Sequence, residues 1–292
     1  MRDRFFTVIT IACIACASAL AQEKPVAVVT SVSGPATGFS IAHPKGATVG
    51  IADVFYAGDR ARTAGTLGLI FCPTATAVTL APGTDVQFTA RNISVVKGKI
   101  AAERHIPGCS VPVAEVGGPN AHLAGFEMRG DESMVVLRSP VNVTVPAGDL
   151  HLRWQPVEGA VTYRVNIQPA DGGTAIEQEY SSNEVTVQGS QLKPDTSYRW
   201  MVTALAPQDE VLAVSSSRFR TLKPEDALRL EQAARQTDLS DTERHLLIGM
   251  LEDQLNMPEQ ALADFEAIQE KSPSQWLQQQ IATLKQRLDS KP

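Results

Sequence analysis

The side chains in this sequence best suited to metal binding, nucleophilic attack or cross-linking are four cysteines and five histidines. Cys13 and Cys16 sit inside an apolar N-terminal run, which leaves Cys72 and Cys109 for the body of the chain. Two readings of that pair compete. One is a disulfide; the other is a metal site that recruits His105, four residues before Cys109, and His122 further on. The metal reading needs further ligands at a workable spacing. The histidines are His43, His105, His122, His151 and His245, and no two lie within four residues of each other. The sequence shows no Gly-x-Ser-x-Gly, no His-Glu-x-x-His, no phosphate-binding glycine loop and no dinucleotide fingerprint. Carboxylate pairs for glycoside cleavage need not be neighbours in sequence, so a motif search alone does not remove them. The acidic residues fall largely in turns and on helices, where a solvated surface is the plainer reading. We therefore assign no catalytic residue, no cofactor-binding residue and no metal ligand from the sequence.

Which compartment the chain occupies decides the cysteine question. Arg2 and Arg4 precede an uncharged, mostly apolar run from Phe5 to Ala19, and Ala19-Leu20-Ala21 places small residues where a signal peptidase reads. Residues 1–21 are expected to be a signal peptide cut before Gln22. The run is shorter than the ~20 residues of a bilayer span, which favours cleavage over anchoring. Cys13-Ile14-Ala15 makes a poor approach to a lipid-modified Cys16. Loss of Arg2, Asp3 and Arg4 moves the net charge from −6 to −7, which offers nucleic acid no electrostatic attraction. No later stretch is apolar enough to span a membrane, so the expected location is periplasmic or extracellular. In an oxidising compartment a single cysteine pair most often forms a disulfide, and Cys72–Cys109 is expected to be one.

Three textures follow. From Pro25 to about residue 115 short alternating runs dominate: Val26–Thr30, Leu67–Phe71, Ala77–Leu80 and Val86–Phe88. Gly34-Pro35, Gly58-Asp59, Pro82-Gly83 and Lys97-Gly98 separate them as turns, which implies a compact all-β unit. Gly34, Gly58-Asp59-Arg60-Ala61-Arg62-Thr63, the apolar strand Leu67–Phe71, the proline-bearing hairpin Val78–Thr84 and the closing Val96-Lys97-Gly98-Lys99-Ile100 together resemble the FecR-like domain family. The family's Asp-Gly turn after the apolar strand is replaced by Cys72-Pro73-Thr74-Ala75, so that hairpin is expected to be reshaped and pinned to Cys109. Residues 116–132 are Gly-rich without periodicity and read as a linker.

From 133 to 222 alternation is stronger, in Leu150–Trp154, Val161–Ile167 and Tyr198–Ala204, with turns at Gly148-Asp149, Glu158-Gly159, Asp171-Gly172-Gly173 and Lys193-Pro194-Asp195. That pattern suits an antiparallel sandwich. Trp154 with Pro156, Tyr163 with Val165, and Leu192-x-Pro194-x-Thr196-x-Tyr198 resemble a fibronectin type III domain. The resemblance implies a structural core of Trp154, Tyr163, Tyr198 and Trp200, with Tyr198 in a tyrosine corner.

Residues 223–292 turn helical, and carry 8 Lys/Arg against 13 Asp/Glu. Ser240-Asp241-Thr242-Glu243 is a capping box, Pro258 opens another helix, and Ser272-Pro273-Ser274-Gln275 precedes a last one. Ile248, Gly249, Ala261, Phe265 and Pro273 make the middle hairpin resemble a tetratricopeptide repeat, with Gly249, Ala261, Phe265 and Pro273 as its packing positions. His245 and Glu252 stand where that family has aromatics. Repeats of this kind need about three copies to stand alone, so this segment is expected to lean on the sandwich, a second copy or a partner.

The expected architecture is thus multidomain, mainly β followed by α. The expected function is that of an exported, non-enzymatic binding or scaffold protein of the bacterial envelope. Its partners would be other envelope proteins, or peptidoglycan or another polysaccharide. The FecR-like resemblance implies an alternative, extracytoplasmic sensing through another membrane protein. With four residues before the apolar run, the chain is not expected to act in the cytoplasm directly.

Overall fold

The computed structural model describes residues 24–112, 134–146 and 148–289. The expected signal peptide, residues 1–21, and the expected linker, residues 116–132, lie outside the described residues, as does His122. Strands β1 (Ala27–Ser33), β2 (Ala36–Phe39), β3 (Ala47–Thr48), β4 (Val54–Phe55), β5 (Arg60–Thr63), β6 (Thr66–Phe71), β7 (Thr76–Leu80), β8 (Asp85–Phe88), β9 (Ile93–Lys97) and β10 (Ile100–His105) build the first unit. They form two sheets, in the orders β10-β7-β6-β1-β4 and β3-β2-β5-β8-β9.

The first of these sheets is covered on both faces. Along β6, Leu67, Leu69 and Phe71 join the core between the two sheets, while Ile70 joins a second core on the opposite face. Ala27 and Val29 against Val28, and Val78 against Ala77, divide the same way. Two-sided burial is why Leu67–Phe71 reads as a near-continuous apolar run rather than as strict alternation.

The layer on that second face is helical: α1 (Pro224–Arg235), α2 (Asp241–Gln254), α3 (Pro258–Gln269) and α4 (Gln275–Asp289). Leu246, Leu247, Met250, Phe265, Ile268, Leu277 and Leu284 share one core with Val28, Ile70, Ala77, Ile106 and Val111. Polar contacts fasten the junction: Thr30 Oγ1 donates to Glu243 Oε1 at 3.0 Å, and Ser274 Oγ donates to the Ala52 carbonyl at 3.1 Å. Arg104 donates to the Asp238 carbonyl, Arg229 to that of Gly108 at 3.2 Å, and Gln280 to that of Pro112 at 3.3 Å. The helical segment thus takes its support from the N-terminal β unit.

Glu243 belongs to the capping box of α2, taking Ser240 N at 2.8 Å while its own N–H bonds Ser240 Oγ at 3.2 Å. One residue therefore starts the helix and docks it. Cys72 and Cys109 form a disulfide with Cα atoms 5.1 Å apart, and both pack at the edge of the shared core. The segment after β6 is a short 3-10 turn, Cys72–Thr74, closed by Ala75 in the left-handed region at φ 51°.

Between these layers in sequence lies a sandwich of β11 (Leu137–Ser139), β12 (Val143–Val145), β13 (Leu150–Trp154), β14 (Thr162–Pro169), β15 (Ile176–Tyr180), β16 (Glu184–Val187), β17 (Ser197–Leu205) and β18 (Val211–Thr221). Its sheets run β11-β13-β16 and β12-β18-β17-β14-β15. Alternate residues of β13, β14 and β17 are buried, as a two-residue period requires for a half-buried strand. No helix among the described residues is long and apolar enough to cross a membrane.

Candidate functional site

On β17 and β18 the alternation that buries Tyr198, Trp200 and Phe219 turns Arg199, Arg218 and Arg220 to the open face of the five-stranded sheet. Register then brings them together. Arg199 stands directly opposite Arg218, and Arg220 opposite Ser197. These residues floor a cleft of about 720 Å³. One side is formed by Asn142 and Thr144 at β12, the other by Gln168 and the turn at Ala170 and Gly172. Asn256, from the turn between α2 and α3, completes the lining, which contains no acidic residue.

The helical layer sets that wall. Asn256, with φ 60°, donates its side-chain amide to the Asn142 carbonyl at 3.0 Å, and its own carbonyl accepts Thr144 N at 2.9 Å. Arg287 of α4 holds Asn256 Oδ1 at 3.0 Å. The cleft is therefore assembled from two modules.

Charges on the rest of this face are compensated. Arg164 pairs with Glu179 at 2.8 Å, and Arg220 with Asp195 at 2.5 Å. Arg199 donates to Ser216 Oγ at 3.2 Å. The exposed Arg218 guanidinium has no side-chain partner among the described residues. Like charges facing each other across two strands destabilise a sheet, and a bound anion would offset the unmatched charge of Arg218.

A second titratable cluster lies between α2 and α3. His245 Nδ1 and Asp264 Oδ1 are 2.6 Å apart, and Asp264 also hydrogen-bonds Glu252. Burial, then that hydrogen bond and the Asp264 charge, push the Glu252 carboxyl up to about 9. Glu252 therefore holds its proton at neutral pH, and its Oε2 is buried without a partner. Two carboxyl groups in contact favour the protonated form of one of them. No nucleophile adjoins them among the described contacts, and the cluster is read as a packed polar contact between α2 and α3. Elsewhere, burial disfavours an ionised Asp85, but hydrogen bonds from Arg62 and Arg60 outweigh it and hold that carboxyl below its ordinary range.

The aromatic residues singled out from the sequence all lie in the sandwich core. Trp154, Tyr163, Tyr198 and Trp200 are buried, with Trp154 edge-on to Tyr163 at 5.4 Å and tilted on Trp200 at 6.5 Å. Tyr198 Oη accepts Lys193 N at 2.7 Å, and Tyr163 Oη accepts Val157 N at 2.9 Å. Gly249 and Ala261 let α2 and α3 approach over the Phe265 ring. Pro273, grouped with them from the sequence, is instead exposed in the turn before α4. There it serves as a helix stop, and the buried neighbour is Ser274, whose Oγ accepts Leu277 N at 3.1 Å. His43, His105 and His151 are exposed on separate turns and strands. Sequence reasoning missed Arg199, Arg218 and Asn256, because what joins them is strand register and module docking.

No family model matches the chain. Among solved structures, it is similar to the fn3 domain of human collagen alpha-1(XX) chain, at 20% identity and a TM-score of 0.27, over 33% of this chain and 86% of that one. It is also similar to an Fn3-like protein from Clostridium thermocellum, at 17% identity and a TM-score of 0.25, over 31% and 97% of the two chains. The CbhA fibronectin(III)-like modules of Clostridium thermocellum give 16% identity and a TM-score of 0.22, over 31% and 100%. The topology itself shows the type. A three-stranded sheet faces a five-stranded one, and after β11 in the first the chain crosses to β12, which runs parallel to β18 in the second. That is a fibronectin type III-like sandwich.

Proposed function

We propose that this chain is an exported, non-enzymatic binding or scaffold protein of the bacterial envelope. In this reading residues 25–115 are a FecR-like domain and residues 223–292 a tetratricopeptide-like segment. The Gly58-Asp59 turn, where Asp59 Oδ2 accepts Tyr56 N at 2.9 Å, supports the first assignment. The tight passage of α2 over α3 at Gly249 supports the second.

The observation that carries the functional reading is the bracing of both β modules by one helical layer. A shared core joins the helices to the first unit, and the Asn142–Asn256–Thr144 clasp joins them to the sandwich. Such bracing holds separate surfaces in a constant relation, which is what a scaffold requires. The disulfide agrees with an oxidising compartment.

The test uses the full-length protein in its own cells. Fractionation should recover a chain beginning at Gln22 outside the cytoplasm, with Cys72 and Cys109 linked. In-cell crosslinking should then capture defined envelope components. Recovery solely from the cytoplasm with free thiols would overturn the reading.

A further inference from the structure

We infer that the arginine-floored cleft of the sandwich binds an anionic polysaccharide, whose carboxylate or phosphate groups are taken by Arg199 and Arg218. This inference rests on the binding-protein reading above and names the ligand class for one of its surfaces.

Three observations lead to it. First, the charge: the chain carries −6 overall, yet this concavity gathers three arginines and its lining includes no acid. Arg220 is matched by Asp195, but Arg218 stands opposite Arg199 without a carboxylate partner among the described residues. Guanidinium groups present forked donors that suit carboxylate and phosphate oxygens, and two side by side suit a repeating anion.

Second, the remaining lining is rich in neutral groups for hydroxyls. Asn142 and Thr144 flank the arginines on one side, with Ser197 and Gln168 on the other. The cleft crosses β12, β18, β17 and the end of β14, three strand spacings, or roughly 14 Å. That length accommodates a few sugar units.

Third, the backbone of the floor is spent. β18 is paired on both sides, by β12 and β17, and β17 by β18 and β14. An acidic peptide bound in the usual strand-addition mode needs free main-chain donors and acceptors at a sheet edge. This face offers side chains alone, which favours a glycan.

The test compares the wild-type protein with the Arg199→Gln/Arg218→Gln double variant. Both arginines are exposed, so the variant should fold, which a thermal melt beside the wild type checks. Calorimetry and affinity electrophoresis would use polygalacturonate, poly(glycerol phosphate), neutral dextran and poly-glutamate at low and moderate salt. The expected result is binding of one or both anionic carbohydrate-type polymers, weakened at least ~10-fold in the double variant, since a charged hydrogen bond is typically worth that much or more. Polygalacturonate against poly(glycerol phosphate) distinguishes a carboxylate source from a phosphate one. Arg164→Gln, which removes an arginine already paired with Glu179, should leave binding unchanged.

Equal binding of poly-glutamate and the glycans would overturn the inference in favour of a peptide or nonspecific charge. Binding that survives in the double variant, or no binding of any anionic polymer, would overturn the site. Neither result touches the in-cell crosslinking test, so failure of this inference is separable from failure of the scaffold reading.

Discussion

Replacing Cys72 and Cys109 with alanine removes a covalent tie between positions separated by 37 residues. In the chain-entropy description, releasing a loop of that size costs about 4 kcal/mol of stability. The structure adds where the loss will be felt. Both cysteines pack against the core that the helices share with Val28, Ile70 and Ala77, so α2 and α3 are anchored on a surface the disulfide braces. Hydrogen exchange resolved by peptide, with guanidinium unfolding in parallel, measures both quantities. The expected outcome is a stability loss of a few kcal/mol together with faster exchange in α2 and α3, more than a hundred residues from either substitution. Loss of protection confined to β6, β7 and β10, with α2 and α3 unchanged, would refute the idea that the β unit and the helices unfold as one body.

Gly249→Ala places a Cβ 2.7 Å from Phe265 Cε1, so despite a helix-propensity gain of about 1 kcal/mol it should destabilise by ~1–2 kcal/mol in thermal or denaturant melts. Glu252 keeps its proton in the folded chain up to about 9, whereas the unfolded chain loses it near the ordinary 4.5. Its stabilising contribution is therefore complete below the lower value and falls as pH rises through the window. The fall is at most ~1.4 kcal/mol per pH unit, and smaller because solvent reaches part of the cluster. Glu252→Gln should match the wild type near pH 5 and exceed it at pH 8, and parallel stability curves at the two pH values would contradict the raised Glu252 carboxyl. In the sandwich, Trp200 Nε1 donates to the Pro140 carbonyl at 2.8 Å while Trp154 Nε1 is buried without a partner. Trp200→Phe should thus cost about 1 kcal/mol or more beyond Trp154→Phe, measurable by equilibrium unfolding.

How far the sequence reveals this molecule depends on whether a feature is local. Period-two alternation in Leu150–Trp154 and Tyr198–Ala204 marks half-buried strands, and those strands are observed. Ser240 and Glu243 show a capping box because its partners lie three residues apart. The docking of helices on the N-terminal sheet is non-local, and its trace is subtle. Ala27-Val28-Val29 and Leu69-Ile70-Phe71 are too continuously apolar for a sheet with one wet face, which hints that something covers the other side without saying what. The cleft was less legible still. Arg199 and Arg218 lie nineteen positions apart, and only the register of β17 on β18 sets them face to face. Asn256 reads as an unremarkable loop residue until the helices dock.

The hydrogen bond between Thr30 and Glu243 spans 213 positions of the chain. Strand β1 precedes α2 by more than two hundred residues, so on a growing chain its outer neighbours are made long after it. The N-terminal unit must therefore wait, with Val28 and Ile70 uncovered, until the helices have been made. A chain interrupted before α2 presents that apolar sheet face to the solvent, where aggregation or proteolysis will remove it. Synthesis through the helices thus works as a quality check, because they are the element that makes these strands safe.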